Sequence, residues 1–478
     1  MKKIVFLVTI ITFFCTFSTL AQKTVLQLKV SKDRKDMIAS LEKESRIFVK
    51  NEYFSLIPSY PKAKNLELQR LYDIVIDDKR VSELTSELQK TGNFEDIQPY
   101  EVAHTNNDCN NPYPINDLKI IDGTFTNYAI ELINAQCAWD ITKGNPDIVV
   151  AVADTDFEQT HEDMENQMVH LSGPISAGNH HGILVAGVAC AETNNNKGIC
   201  GVGYNSKAAG YRIDHYIDSD GSVWASSSAC IKDAIWAAYL DGRPVINVSW
   251  GGTGLNTIAA QEITENGTTL VLAAGNSATS TDHSGIANIP GVINVSGVDA
   301  NNTHFGTFAP RPGTVAHNQW VDVCALAINV TTCYPGNRYG LGYRGTSFAA
   351  PQVAGVVALM RSINNCLSPA EIENMIKATA DPIADEHPLY SGQLGAGRVN
   401  AYKAVMAAGT REYTNTTISG IKNLSAGYAF NLHNVTIGSN SNVNLTARKE
   451  VIIDGTFEVP LGSEFSINID PAAVTNCD

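Results

Sequence analysis

The chain has 478 residues, of which 44% are hydrophobic and 17% charged, with a formal net charge of −15. That length exceeds one small domain and supplies apolar residues for a sizeable core, so two or three domains are expected. The acidic balance argues against nucleic acid as the main partner, because phosphate binding draws on clustered Lys and Arg.

Lys2 and Lys3 precede an apolar run over residues 4–14, and Thr19-Leu20-Ala21 offers a small-residue cleavage site. This is the pattern of a secretory signal peptide over residues 1–21. An uncleaved membrane anchor is the alternative, since the stretch to Ala21 nearly spans a bilayer; no membrane span is expected once the signal is removed. Ten cysteines are present, and loss of Cys15 leaves nine. In an exported chain this suggests disulfides and at least one odd thiol. Cys190 with Cys200, and Cys324 with Cys333, are each close enough in sequence to close a loop. There is no Cys-x-x-Cys pair, and the pairing stays open.

Residues 22–104 read as a small α+β unit: strand, helix, then strand, helix, strand, with β-like runs at 24–30, 71–76 and 94–102 and a helix at 81–89. Residues 105–117, rich in Asn, Asp and Pro, read as a linker exposed to cleavage. From 118 to 409 strands alternate with helices. Residues 147–153 form a continuous apolar run, as in a strand buried on both faces of a parallel sheet. The runs 208–213, 245–249 and 269–274 repeat it, and 225–239 and 258–266 read as helices. The pattern predicts an α/β fold, a mostly parallel sheet with helices on both faces and ligands at the C-terminal strand ends. After Gly409 the helical period stops. Short alternating runs at 435–437, 443–445, 451–453, 457–459 and 465–469 suggest a small all-β module over 410–478, read as stacked rungs.

Four strings carry chemistry. Asp154 ends the first buried strand in Val152-Ala153-Asp154-Thr155-Asp156. His181 lies in His180-His181-Gly182-Ile183-Leu184-Val185-Ala186-Gly187. Asn276 lies in Leu272-Ala273-Ala274-Gly275-Asn276-Ser277. Ser347 opens a buried helix in Gly345-Thr346-Ser347-Phe348-Ala349-Ala350-Pro351. Read singly, Asp154 and Asn276 are turn residues, His181 is structural and Ser347 is an N-cap. A hydroxyl at a helix start can also be a nucleophile, with the unpaired N–H groups there favouring the oxyanion it creates.

Together, in the order Asp, His, Asn, Ser, these strings resemble the motifs of subtilisin-like serine proteases. The resemblance implies that Asp154 orients His181, that His181 is the general base, that Ser347 is the nucleophile and that Asn276 is the oxyanion-hole amide. The chain departs from the pattern at Asp156, where the family has Gly, and at Ile183 and Leu184, where it has Thr and a second His. Ser249, Trp250 and Gly251 would line a substrate cleft together with Ala273, Ala274 and Gly275. Neither wall contributes a carboxylate, so a preference for basic residues is not indicated. Residues 22–104 resemble the family's inhibitory propeptide; a plain N-terminal domain is the alternative. No cofactor is required for the chemistry. Asp163 and Asn195 match the family's structural calcium ligands, although Asn194-Asn195-Asn196-Lys197-Gly198 also reads as a polar turn. The expectation is a secreted endopeptidase made as a zymogen, acting on proteins or peptides, inhibited by its own propeptide, free in the medium or held at the cell surface by its C-terminal module. The rival is a secreted binding or adhesion protein on an inactive protease fold.

Overall fold

The structure is a computed structural model that describes residues 23–30, 46–49, 52–55, 57–58, 71–77, 81–90, 94–100, 117, 120–121, 124–125, 128–173, 180–213, 216–217, 223–224, 228–278, 280–304, 315–384 and 387–477. The expected signal peptide and most of the expected linker lie outside these residues. The chain divides into two compact units, Met1–His104 and Thr105–Asp478.

In the first unit, Lys23–Val30 lies between Leu71–Asp77 and Phe94–Tyr100, antiparallel to both. Ile57–Pro58 adds to the Leu71–Asp77 edge. The helix Val81–Lys90 buries Leu84 and Leu88, four residues apart on one face. Between the first two long strands, Arg46–Val49 and Glu52–Ser55 pair as an antiparallel hairpin; residues 31–45, directly after the first strand, where a helix was expected, lie outside the described residues.

The second unit is built on a seven-stranded sheet. Its elements are β1 (Val149–Asp154), β2 (Met168–Ser172), α1 (His181–Cys190), β3 (Lys207–Arg212), α2 (Ser228–Leu240), β4 (Val245–Val248), α3 (Thr257–Glu265), β5 (Thr269–Ala273), β6 (Val292–Val298) and β7 (Val323–Leu326). The order is β2-β3-β1-β4-β5-β6-β7, and every neighbouring pair is parallel. β1 shows why the strand reads as unbroken apolar sequence. Val150 and Val152 enter one core with α1, while Val149, Ala151 and Ala153 enter the other with α2. With side chains alternating across the sheet, helices on both faces demand apolar residues at every position.

The hairpin β8 (Val330–Tyr334) and β9 (Arg338–Tyr343) leads into α4 (Thr346–Ile363). Seventeen of the eighteen residues of α4 are buried, so whatever projects from its first turn is held by packing on all sides. Pro351 inside α4 has no N–H to donate to the Ser347 carbonyl four residues back. The Ser249 hydroxyl donates to that carbonyl instead, at 2.9 Å. α5 (Pro369–Thr379) begins at a capping box in which Ser368 and Glu371 bond reciprocally, and α6 (Ala401–Gly409) is capped by Asn400.

Residues 411–469 form two three-stranded parallel sheets. Arg411–Ile418, Ala429–Ile437 and Glu450–Glu458 stack in one, and Ile421–Ala426, Asn442–Ala447 and Glu464–Ile469 in the other. Leu424, Phe430, Leu432, Val443 and Leu445 fill the space between them. Two runs expected as separate strands, 451–453 and 457–459, belong to one strand. Gly455, at φ 69°, shifts the register between them and breaks the alternation seen in the sequence.

The cysteines correct the loop-closing pairs. Cys190, Cys200, Cys324 and Cys333 are all free and buried, and Cys230 is buried. The thiols face different neighbours: Cys190 Sγ lies 3.6 Å from the Lys207 carbonyl, and Cys200 Sγ lies 3.5 Å from Asp117 Oδ2. Likewise Cys324 Sγ faces the Leu394 carbonyl, whereas Cys333 packs against Gly187 of α1. Cys366, just after α4, is bonded to Cys477, 111 residues away, and Cys137 is also in a disulfide. Cross-linking so long a loop removes denatured-state entropy, so Cys477→Ser is expected to cost about 2–4 kcal/mol. The check is thermal unfolding without reductant. The variant should melt several degrees below the wild type, and in reductant, which opens the Cys137 disulfide in both, the two should melt together.

Candidate active site

The C-terminal ends of β1, β4 and β5 and the start of α4 converge. Asp154, the last residue of β1, is fully buried. Its two oxygens each lie 2.9 Å from His181 Nδ1, and Oδ1 also accepts from the Thr155 N–H at 2.7 Å. His181 is the first residue of α1. Gly182 lets that helix end sit on the turn after Asp154: a Cβ there would lie 2.8 Å from the carbonyl oxygens of Thr155 and Asp156. A carboxylate on Nδ1 makes that nitrogen the donor and leaves Nε2 as the basic one. Burial disfavours the imidazolium, but the Asp154 charge and its hydrogen bond outweigh this and hold the His181 pKa above its ordinary value.

Ser347 lies in the first turn of α4. Its hydroxyl donates to the Ser249 carbonyl at 3.2 Å, while the Ser249 hydroxyl donates back to the Ser347 carbonyl. The chain neighbours of these two serines, Trp250 and Phe348, both turn their rings edge-on to the imidazole of His181, at 5.9 and 5.7 Å between centroids. The serine, the imidazole and the carboxylate are thus gathered by two serine–serine hydrogen bonds and two ring contacts.

Asn276 follows β5 and is exposed. Its Oδ1 accepts from the Thr346 N–H at 2.8 Å and from the Thr346 hydroxyl at 3.2 Å. Those two donors fix the orientation of the amide, and its NH2 group is left as the free donor end. Gly345 has φ 123°, and a Cβ there would come within 2.8 Å of Asn276 Oδ1, so this position needs glycine on both counts.

This arrangement coincides with a family-level match: residues 145–417 match Peptidase_S8, the Subtilase family. The chain belongs to the subtilase family. It is 33% identical over 291 residues to thermitase of Thermoactinomyces vulgaris, covering 58% of this subtilase and 95% of thermitase. It is 34% identical over 297 residues to a thermophilic serine proteinase of Bacillus sp. (strain AK1), covering 59% of this chain and 65% of that protein. Against an extracellular protease of Xanthomonas campestris pv. campestris the identity is 35% over 256 residues, with coverages of 49% and 41%. The chain therefore spans less than two thirds of the length of these last two relatives.

In this subtilase Asp156, at the family's glycine position, is not a loose charge beside Asp154. Arg212, the last residue of β3 and the strand neighbour of Asp154, donates from Nε to Asp156 Oδ1 at 2.8 Å, and both side chains are nearly buried. His180 stands 3.9 Å from the other oxygen. Sequence reasoning missed Arg212; its one signal was a charged residue closing an apolar strand. Thr346, which orients Asn276, was inside the quoted string but was given no role. At the second departure, Leu184 is buried, and its carbonyl accepts a hydrogen bond from the Thr332 hydroxyl.

Ser249, Ala273, Ala274 and Gly275 are buried, Trp250 is half-buried and Gly251 is exposed. Asp163 is fully buried. Its Oδ1 accepts from Asn195 Nδ2 at 2.9 Å and its Oδ2 from the Ile199 N–H at 3.0 Å, while Asn195 Oδ1 accepts from the Lys197 N–H. The buried Asp117 carboxylate binds the same loop through the N–H groups of Asn194 and Asn196. Among the described residues no group of three or more His, Cys, Asp or Glu side chains can hold a metal ion. Calcium takes six to eight oxygens, whereas here Asn195 turns its amide nitrogen to Asp163 and the oxygens already face N–H donors. No step below depends on an ion there. No helix of the described residues is long and apolar enough to cross a membrane.

Proposed function

We propose that this chain is a secreted serine endopeptidase, made as a zymogen, that hydrolyses peptide bonds through Asp154, His181 and Ser347. The observation that carries this reading is the buried Asp154 carboxylate held on His181 Nδ1, beside a serine in the first turn of a buried helix. Ser347 Oγ gives up its bond to the Ser249 carbonyl and passes its proton to His181 Nε2 as it attacks the scissile carbonyl carbon. His181 returns the proton to the leaving amine, and water then hydrolyses the acyl-enzyme by the same route. Asp154 keeps the imidazole in the tautomer that can accept this proton and stabilises the imidazolium. The Asn276 NH2 group and the Ser347 N–H receive the developing oxyanion. The extended backbone of the substrate lies along residues 249–251, and the side chain before the scissile bond enters between these and 273–275. Residues 22–104 act as the inhibitory leader, removed by cutting in 105–117, after export directed by residues 1–21.

Intact-mass analysis with a fluorophosphonate probe tests this. Wild type should lose its leader and gain one probe mass, and Ser347→Ala should do neither. If a chain freed of its leader in trans still takes no probe, the peptidase reading is wrong and a binding protein on this fold becomes the better account.

Two further results are expected. Asn276→Leu, which removes the oxyanion donor together with the two bonds from Thr346, should lower kcat by about 10²–10³-fold with little change in KM, the range known for the corresponding donor in subtilisin. The base must be neutral to act, so kcat/KM should rise with pH through the His181 pKa, with its midpoint above the ordinary imidazole value of about 6.5. A midpoint below that value would mean that Asp154 does not hold a charge against His181.

A further inference from the structure

The loop that follows Asn276 brings a carboxylate between the two segments assigned above as pocket walls. A Cβ on Gly251 would lie 2.8 Å from Asp282 Oδ2, and a Cβ on Gly275 would lie 3.2 Å from the same oxygen. One carboxylate oxygen therefore faces the side-chain side of both walls. Both wall residues are glycines, and the Ser280 side chain also lies against Gly275, nearer than this oxygen, so a hydroxyl stands beside the acid between the walls. Sequence reasoning considered only the walls, which carry no acid; the acid comes from the next loop.

The loop is anchored where it must be to hold that position. The Ser280 N–H donates to the Ser277 carbonyl at 2.9 Å and the Ser284 N–H to the Thr281 carbonyl at 3.0 Å. Asn318 Nδ2 donates to the Ser280 carbonyl at 2.7 Å. The buried His283 donates from Nε2 to the Trp250 carbonyl at 3.1 Å, which ties the loop directly to one wall. Asp282 itself is exposed and makes no hydrogen bond or ion pair among the described residues. Burial holds the adjacent His283 below its ordinary pKa, so at neutral pH that ring is uncharged and leaves the Asp282 charge uncompensated.

We propose that Asp282 is the specificity-determining acid of this pocket and that the enzyme cleaves after Lys or Arg. The inference rests on the peptidase reading above and names its substrate class. A basic side chain entering between the walls carries its charge to an unpaired carboxylate, with a charge-assisted hydrogen bond as the gain. An apolar side chain of the same length covers that carboxylate without a partner and is penalised by its lost hydration. Discrimination comes from both effects.

The experiment uses the full chain after leader removal, with peptide anilides that differ only in the residue before the cleaved bond: Lys, Arg, norleucine and Phe. Wild type should favour Lys and Arg over norleucine by about 10²-fold in kcat/KM. In Asp282→Asn this ratio should collapse towards one, at an unfolding temperature equal to that of the wild type. Wild type that labels with the fluorophosphonate probe but cleaves norleucine and Lys peptides equally overturns this inference alone. So does an Asp282→Asn ratio equal to that of the wild type. A wild type that takes no probe and cleaves nothing overturns the peptidase reading and this inference together.

Discussion

Ser347→Ala is expected to abolish peptidase turnover, lowering kcat by about 10⁶-fold, a magnitude carried over from subtilisin. Ser249 is the other serine in contact, but its Oγ is committed to the Ser347 carbonyl, which Pro351 leaves without its helical partner. The substitution should leave the fold intact. The lost side-chain hydrogen bond is a long one, 3.2 Å to the Ser249 carbonyl, and alanine suits the first turn of a helix. Single-turnover assays with an internally quenched peptide, beside a thermal melt, separate the two quantities. A variant that unfolds early would show that Ser347 serves packing more than chemistry, and one that retains activity would remove it from the nucleophile's role.

The second large effect is Asp154→Asn, expected to lower kcat by about 10⁴-fold while preserving shape. Asp154 is fully buried and accepts from His181 Nδ1 and from Thr155 at once. An amide in its place can turn its NH2 group to Nδ1, which places the imidazole proton on Nε2, where it cannot accept the serine's proton. The pH behaviour should change as well. In the wild type the Asp154 charge and hydrogen bond raise the His181 pKa against the opposing effect of burial. Without the charge, burial alone remains and the pKa should fall below the ordinary value. Stability follows with opposite signs. With its folded pKa raised, His181 in the wild type contributes stability that is complete below about pH 6.5 and is lost as pH rises through the folded value. In the variant the folded pKa is depressed, so the histidine costs stability as pH falls below 6.5. Unfolding measured across this range should show the two slopes diverging. Parallel slopes would contradict the charge pairing.

The order of elements and the parallel sheet were legible because burial on both faces forces a distinctive composition. Residues 149–154, 245–248 and 269–273 are buried throughout, and apolar but for Asp154, Asn247 and Thr269, since each side of the sheet meets helices. The strings around Asp154, His181, Asn276 and Ser347 were legible because each needs small residues at set offsets, and the contact that requires Gly182 is with Thr155 and Asp156.

What escaped the sequence was every pairing of side chains that meet only after the strands are ordered. Arg212 neutralises Asp156 from 56 residues away because β3 is the sheet neighbour of β1. Thr346 orients Asn276 across 70 residues because α4 starts beside the end of β5. Cysteines ten residues apart, Cys190 and Cys200, stay free, while Cys366 finds Cys477 across 111. Sequence alone thus determined the period of each element and the residue types at its ends, since these follow from local geometry and burial. Only the tertiary structure decided which charges, amides and thiols face one another, because strand order and side-chain direction are set by the packing of the whole core.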